Sequence, residues 1–278
     1  MDNAYSSLLK RLRETWTTLP DKQQESPEST LDTLFAVAER EGRPVEDLVQ
    51  ERMKGVPLAY LTGTERFLGI ELETNPGAMI PRKETECLAR TALKLLKTLE
   101  AEDSRVTLLD LCTGSGNLAL ALSFHENNCA TWAGDVSAEA VQLARRNCAR
   151  LGLTERVTFL VGDFLEPFKQ LSCYGSADLL VCNPPYISSQ KVDGMATEII
   201  GFEPRAAFDG GPLGISFLMR LARQGHEAIR PGGWIACEVG VGQGPALCRI
   251  FEKTGKYNHV EGIEDDQQTI RVVIARKA

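Results

Sequence analysis

Leu179-Leu180-Val181-Cys182-Asn183-Pro184-Pro185-Tyr186-Ile187 is an apolar run that stops at two prolines. Residues 179–182 have the unbroken hydrophobicity of a strand buried on both faces. Proline lacks the N–H that a central strand donates, so the strand ends at Asn183. A rigid turn therefore stands at the carboxyl end of a strand, where open α/β sheets hold their ligands. It offers the Asn183 side chain, carbonyls that no ladder consumes, and the Tyr186 ring. Such a turn suits a planar NH2 group, whose delocalised lone pair makes it a poor nucleophile. Asn183 Oδ1 and the Pro184 carbonyl can accept its two hydrogens, Tyr186 can stack on its face, and Pro185 stiffens the corner. The grip works by positioning, and by dipoles placed where positive charge develops on nitrogen. By itself the turn also fits a stiff loop with no chemistry, since Asn and Pro are ordinary turn formers.

From residue 104 onward, strand-like and helix-like stretches alternate. Strands are read at Val106–Leu111, Ala130–Gly134, Val157–Val161, Ala177–Cys182 and Trp234–Val239, with a closing pair at His259-Val260 and Ile270–Ala275. Helices are read at Leu118–Phe124, Ser137–Leu151, Leu213–Ile229 and Ala246–Thr254. Repeated βα units predict an α/β fold with a doubly wound, mainly parallel sheet and right-handed crossovers.

Four successive strand ends carry polar or glycine-rich groups. The loop Cys112-Thr113-Gly114-Ser115-Gly116 follows the first, and its glycines let a ligand approach the backbone. Its G-x-G lacks the third glycine of a dinucleotide fingerprint, so alone it is a weak sign. Asp135 follows the second strand; it can accept both hydroxyls of a ribose or cap the helix that begins beside it. Asp163 and Phe164 follow the third, the acid suited to an amino group of adenine and the ring to stacking on the base. Phe164 fits ordinary core as well. Asp110 can bond the loop backbone or a cofactor amino group, and it is read as a cofactor contact. With Asn183 after the fourth strand, the set points to a nucleoside-like cofactor beside a reacting NH2. Glu238 and Arg271 are charges inside apolar strands and are read as a buried structural pair.

The chain has 278 residues, 43% of them apolar and 25% charged, which suits a soluble globular protein. No apolar stretch is long enough for a bilayer, and no signal peptide is evident, so a cytoplasmic protein is expected. Eight cysteines form no Cys-x-x-Cys pair and three histidines are scattered, so no metal site is expected. The cysteines read as free thiols in a reducing compartment. Cys112 has no evident histidine partner for nucleophilic work. A net charge of −7 argues against direct nucleic-acid binding. Residues 1–62 read as a small helical domain. Leu8, Leu9, Leu12 and Trp16 lie on one helix, and a polar loop runs from Pro20 to Pro27. A second helix is capped by Ser29 and stopped by Gly42, and a third runs from Pro44 to Gly55. Residues 63–80 read as a hairpin-like linker. Residues 81–278 form the main domain, opening with a helix over Glu84–Leu99.

These residues resemble the class I S-adenosylmethionine methyltransferases, which have a Rossmann-like fold. More narrowly they resemble the release-factor glutamine N5-methyltransferases, the HemK/PrmC-type family. The likeness covers roughly residues 55–278. It rests on Gly55-Val56-Pro57-Leu58-Ala59-Tyr60-Leu61-Thr62-Gly63, Ile80-Pro81-Arg82-Lys83-Glu84-Thr85-Glu86, Asp110 to Gly116 and Asn183-Pro184-Pro185-Tyr186-Ile187. It continues in Phe202-Glu203-Pro204-Arg205-Ala206-Ala207-Phe208-Asp209-Gly210-Gly211 and Pro231-Gly232-Gly233-Trp234. The resemblance implies S-adenosyl-L-methionine against residues 112–116, Asp135 and Phe164. It implies a glutamine amide at Asn183, from the Gly-Gly-Gln loop of a peptide-chain release factor, and an aromatic beside the pocket at Phe67. The N-terminal segment is shorter and more polar than is usual in that family. A small-molecule amide or guanidine and a ribosomal-protein glutamine are the alternative acceptors.

Overall fold

The computed structural model describes residues 2–16, 26–100, 105–195 and 201–278. Four helices open the chain: α1 (Asp2–Thr15), α2 (Pro27–Glu41), α3 (Val45–Met53) and the short α4 (Leu58–Thr62). They enclose a core of their own around Leu12, Leu31, Leu34, Leu48 and Val49. The cap of α2 is Ser26, not Ser29. Ser29 occupies the third helical position and completes a reciprocal capping box with Ser26. Gly42 ends α2 in the left-handed conformation (φ 66°). The loop expected over Pro20–Pro27 lies mostly outside the described residues.

A hairpin follows, β1 (Thr64–Phe67) paired with β2 (Ile70–Glu73). Then come a 3-10 turn over Lys83–Thr85 and the helix α5 (Glu86–Glu100). The remaining elements are β3 (Val106–Leu111), α6 (Asn117–His125), β4 (Cys129–Asp135), α7 (Ala138–Arg150), β5 (Val157–Val161) and β6 (Ala177–Cys182). After them run α8 (Ser189–Asp193), α9 (Ser216–Gln224), β7 (Ile229–Glu238), α10 (Gly244–Lys253), β8 (Tyr257–Glu264) and β9 (Ile270–Lys277).

The seven-stranded sheet has the order β5-β4-β3-β6-β7-β9-β8. The first five strands are parallel, and β9 is antiparallel to both of its neighbours. Successive residues of β6 enter different cores. Leu179 and Val181 pack in one with Leu108 and Leu118; Leu180 and Cys182 pack in the other with Leu109 and Phe251. That two-sided burial explains the unbroken apolar run. All eight cysteines are free.

Two expected boundaries change. The helix read at Leu213–Ile229 begins only at Ser216, because the preceding loop is held against the 183–188 turn. Gly214 (φ 70°) approaches so closely that a Cβ there would lie 2.5 Å from the Tyr186 carbonyl. Ile229 belongs to β7, which carries Pro231-Gly232-Gly233 as an irregularity within the strand: Ala177 pairs with Ile229, but Leu179 pairs with Trp234.

Candidate active site

Leu111 of β3 lies opposite Cys182 of β6 in parallel register, so Cys112 and Asn183 leave the sheet side by side. The chain winds outward from β3 through β4 and β5, then returns to β6 on the other side. This is the topological switch point of the sheet, where such folds open a crevice. One cavity, of about 230 Å³, opens there against Thr113, Gly114, Asp135, Phe164 and Asn183. A second, of about 240 Å³, lies against Arg82, Pro184, Tyr186, Glu238, Arg271 and again Asn183. Either is far larger than the about 10–15 Å³ that one water needs. Asn183, Met79 and Ala207 border both.

The glycine loop is shaped by its neighbours. Cys112 takes a left-handed backbone (φ 58°), unusual for a residue with a side chain, and lines the first cavity with Ser115. Gly114 (φ 55°) has nothing within 4 Å of where a Cβ would stand. Gly116 does not line the cavity. It begins α6 at φ 85°, and a Cβ there would press on Leu120 at 3.0 Å and Ala144 at 3.1 Å. Asn147, fully buried on α7, donates to the carbonyls of Ser115 and Glu73 at 3.1 Å each, tying the loop to the hairpin. Nothing in the spacing of α7 singles Asn147 out; only its polarity on a buried face is a sign.

Asp110 lines neither cavity, which corrects the cofactor contact expected of it; its Oδ1 has no hydrogen-bond partner among the described residues. It is wholly buried, and its Oδ2 accepts from the Thr113 hydroxyl at 2.6 Å and the Ala119 N–H at 3.2 Å. Burial pushes its pKa up to about 7, against those two bonds. Asp135 does face the first cavity. Its Oδ2 accepts from Gly114 N–H and its Oδ1 from Ser137 N–H, each at 2.9 Å. Each carboxylate oxygen keeps a further lone pair, so the group fits a ligand carrying two vicinal hydroxyls. Burial raises its pKa also. The side chain that caps α7 is that of Ser137.

Asp163 and Phe164 both line the first cavity. Asp163 Oδ2 is held by Arg220 Nη1 at 2.7 Å, which leaves Oδ1. Phe164 has a left-handed backbone (φ 53°) and is buried, so the core reading and the lining reading both describe it. Its ring meets Phe217 edge-on at 5.2 Å, and the Arg220 guanidinium sits 4.3 Å from its centroid. Phe217 lines the same cavity; on an amphipathic helix its sequence reads only as core.

The 183–186 turn is held on every side. Asn183 Nδ2 donates to Thr85 Oγ1 at 3.0 Å, which leaves Oδ1 as an acceptor. Among the described residues no hydrogen bond uses the Pro184 carbonyl. The Tyr186 phenol donates to Glu238 Oε1 at 2.9 Å and accepts from Arg271 Nη2 at 3.4 Å. Arg271 and Glu238 form the buried ion pair expected of them, at 3.5 Å, but both also border the second cavity. Burial raises the Glu238 carboxyl, opposed by the adjacent Thr85 hydroxyl, Tyr186 and Arg271. Behind the turn, Gly210 N–H donates to the Ile187 carbonyl at 2.8 Å, and Ile187 N–H to Phe208 at 2.9 Å. Glu203 reaches across to Arg82. Phe67 lines neither cavity, a correction: it is buried at the hairpin tip in the core with Leu88 and Ala92.

Among the described residues, no group of three or more His, Cys, Asp or Glu could hold a metal ion, and no helix is long and apolar enough to cross a membrane.

The sheet order and the crevice at its switch point are those of a class I methyltransferase. The methyltransferase small domain family matches residues 88–230. A solved methyltransferase from Pyrococcus furiosus has a similar fold, with a TM-score of 0.52 at 19% identity over 76% of this chain and 90% of that one. The N-terminal domain of human METTL16, solved in complex with SAH, gives 0.53 at 18% identity over 76% of each chain. A release factor glutamine methyltransferase of Moorella thermoacetica is 36% identical, covering 78% of this chain and 74% of that protein. Another, of Koribacter versatilis, is 32% identical and covers 100% and 98%, so that alignment runs through the N-terminal helices as well. The chain belongs to the release factor glutamine methyltransferase family.

Proposed function

We propose that this protein transfers a methyl group from S-adenosylmethionine to the side-chain amide nitrogen of a glutamine in a peptide-chain release factor. The names of its relatives supply the substrate class. The observation that carries the reading is the position of Asn183 on the wall between two cavities. A donor on one side and an acceptor on the other would meet at that residue.

When bound, the cofactor supplies a methyl group activated on a sulfonium. The chain's residues do the rest. Asp135 would take the ribose hydroxyls, and Asp163 with Phe164 the adenine, while Cys112 to Ser115 close on the remainder. Asp110 and Gly116 act on this site only by shaping the loop. Asn183 Oδ1 and the Pro184 carbonyl would accept the two hydrogens of the glutamine amide, so that its nitrogen faces the first cavity. Two oriented acceptors favour the charge that develops on nitrogen during transfer. The surplus proton then leaves to water, so no base of matched pKa is required. Tyr186, anchored through its phenol, holds the wall of the substrate cavity, and Pro185 that of the first.

Residues 1–62 are taken as the small helical domain that helps to dock the release factor, residues 63–80 as the linker, and residues 81–278 as the transfer unit. Eight free thiols suit the cytoplasm, where translation factors act.

The test is incubation of the purified protein with methyl-labelled S-adenosylmethionine and separate acceptors: a release factor, ribosomal protein, nucleic acid, and free glutamine or arginine. Label is expected in the release factor, on the glutamine of its Gly-Gly-Gln loop. Label confined to any other pool would overturn the substrate assignment.

A further inference from the structure

We infer that Thr85 and Glu238 together fix which end of the Asn183 amide faces the substrate cavity, and so act as positioning residues for the transfer. This rests on the role proposed above for Asn183. An asparagine amide is nearly symmetric in shape but opposite in polarity at its two ends. Turned one way it offers Oδ1 to an incoming NH2 group; turned the other way it offers N–H against N–H and repels it.

Thr85 is wholly buried and takes Asn183 Nδ2 at 3.0 Å across 98 residues of sequence. A hydroxyl can both give and accept, so Thr85 alone would tolerate either end of the amide. The polarity comes from what stands behind it. The Thr85 hydroxyl accepts from Asn183, and its own proton is open to the Glu238 side chain. Beside it lies the Glu238 carboxylate, almost fully buried, with Oε1 taken by Tyr186 and Oε2 without a partner. The Glu238 oxygen without a partner among the described residues and the Thr85 proton thus belong to adjacent groups. Burial raises the Glu238 carboxyl, but Tyr186 donates to its Oε1 at 2.9 Å and Arg271 lies 3.5 Å from the same oxygen, and both favour the acceptor form. A carboxylate only accepts, so the Thr85 proton points to Glu238 and its lone pair to Asn183. Asn183 must then give its NH2 to Thr85 and present Oδ1 to the cavity. The direction of one buried charge on β7 thus reaches the reacting group through two side chains.

Three variants test this. Thr85→Val removes the hydroxyl at equal volume, Thr85→Ser restores it, and Glu238→Gln replaces a pure acceptor by a group that can also donate. S-adenosylmethionine affinity is measured by titration calorimetry, and transfer to a recombinant release factor by steady-state kinetics. In parallel, the Asn183 NH2 protons are observed by NMR in protein labelled with 15N-asparagine, assigned by their loss in Asn183→Asp. For Thr85→Val and Glu238→Gln, cofactor affinity and KM stay within about twofold and kcat falls about tenfold to a hundredfold, the cost of a misplaced group at the reacting centre. Thr85→Ser keeps kcat within about threefold of the starting protein. The Asn183 NH2 pair exchanges slowly in the native protein and Thr85→Ser, and rapidly in the other two. Unchanged kcat and unchanged exchange in Thr85→Val would overturn the inference. If the native protein does not methylate the release factor, the substrate assignment fails instead, and the NMR comparison still decides the orientation.

Discussion

Glu203 holds Arg82, which borders the second cavity, across 121 residues of sequence. One carboxylate oxygen meets the guanidinium, and the other accepts the Ile80 N–H at 2.9 Å. The side chain of Glu203 is 3% exposed, so the pair is shielded, and removing the carboxylate takes an ionic partner from Arg82 and an acceptor from the Ile80 N–H. Glu203→Ala is expected to lower stability by about 3 kcal/mol, since breaking a buried pair costs more than the pair's net worth. The urea midpoint measures it. A loss below about 1 kcal/mol would mean that water reaches the site freely.

Gly210 packs its α-carbon against the turn, and a Cβ there would lie 2.6 Å from the Pro185 carbonyl. Gly152 has a left-handed backbone (φ 68°) but open space around it. Gly152→Ala should therefore cost about 1–2 kcal/mol from the backbone alone and leave methyl transfer intact. Gly210→Ala should displace Pro185 and lose at least about tenfold in kcat. Equal activities in the two variants would contradict the buttressing role.

In the proposed reading Asp135 is the acceptor for paired hydroxyls. Asp135→Ala should weaken S-adenosylmethionine binding by about tenfold to a hundredfold, the worth of charge-assisted hydrogen bonds. Titration calorimetry reads this directly. Because Asp135 also holds Gly114 N–H, Asp135→Asn, which keeps one acceptor, should fall between.

Asp110 gives a pH signature. Its folded pKa is about 7, raised by burial, against an ordinary carboxyl near 4 in the unfolded chain. The folded state then holds the proton more tightly than the unfolded one. The associated stability is fully present below about pH 4 and is lost as pH rises through about 7. Asp110→Asn removes this dependence. The stability difference, native minus variant, should fall by some kcal/mol between pH 4.5 and 7.5, checked by urea unfolding at several pH values. A flat difference would show that Asp110 is ionised throughout.

Much of this was legible in the chain. The strands at 106–111, 157–161 and 177–182 end where they are read to end, because each mainly apolar run gives way to a loop holding glycine or proline. The convergence of residues 112–115, Asp135, Phe164 and Asn183 followed from the rule that parallel strands gather their carboxyl ends at one edge. What stayed hidden depends on contacts remote in sequence. Whether Asp110 faces the crevice or the loop is decided by Thr113 and Ala119. Phe67 carries no mark distinguishing a pocket ring from a core ring. Thr85, one of several polar residues near a helix start, gains its importance only from Asn183 and Glu238. The late start of α9 reflects Gly214 lying on Tyr186, which no local propensity reveals.

The most direct measurement separates binding from transfer in one variant, Asn183→Ala, assayed for S-adenosylmethionine affinity by calorimetry and for methylation of a release factor. Affinity within about threefold of the native protein, with kcat reduced at least about a hundredfold, is expected if Asn183 grips the acceptor nitrogen. Retained turnover would contradict that role.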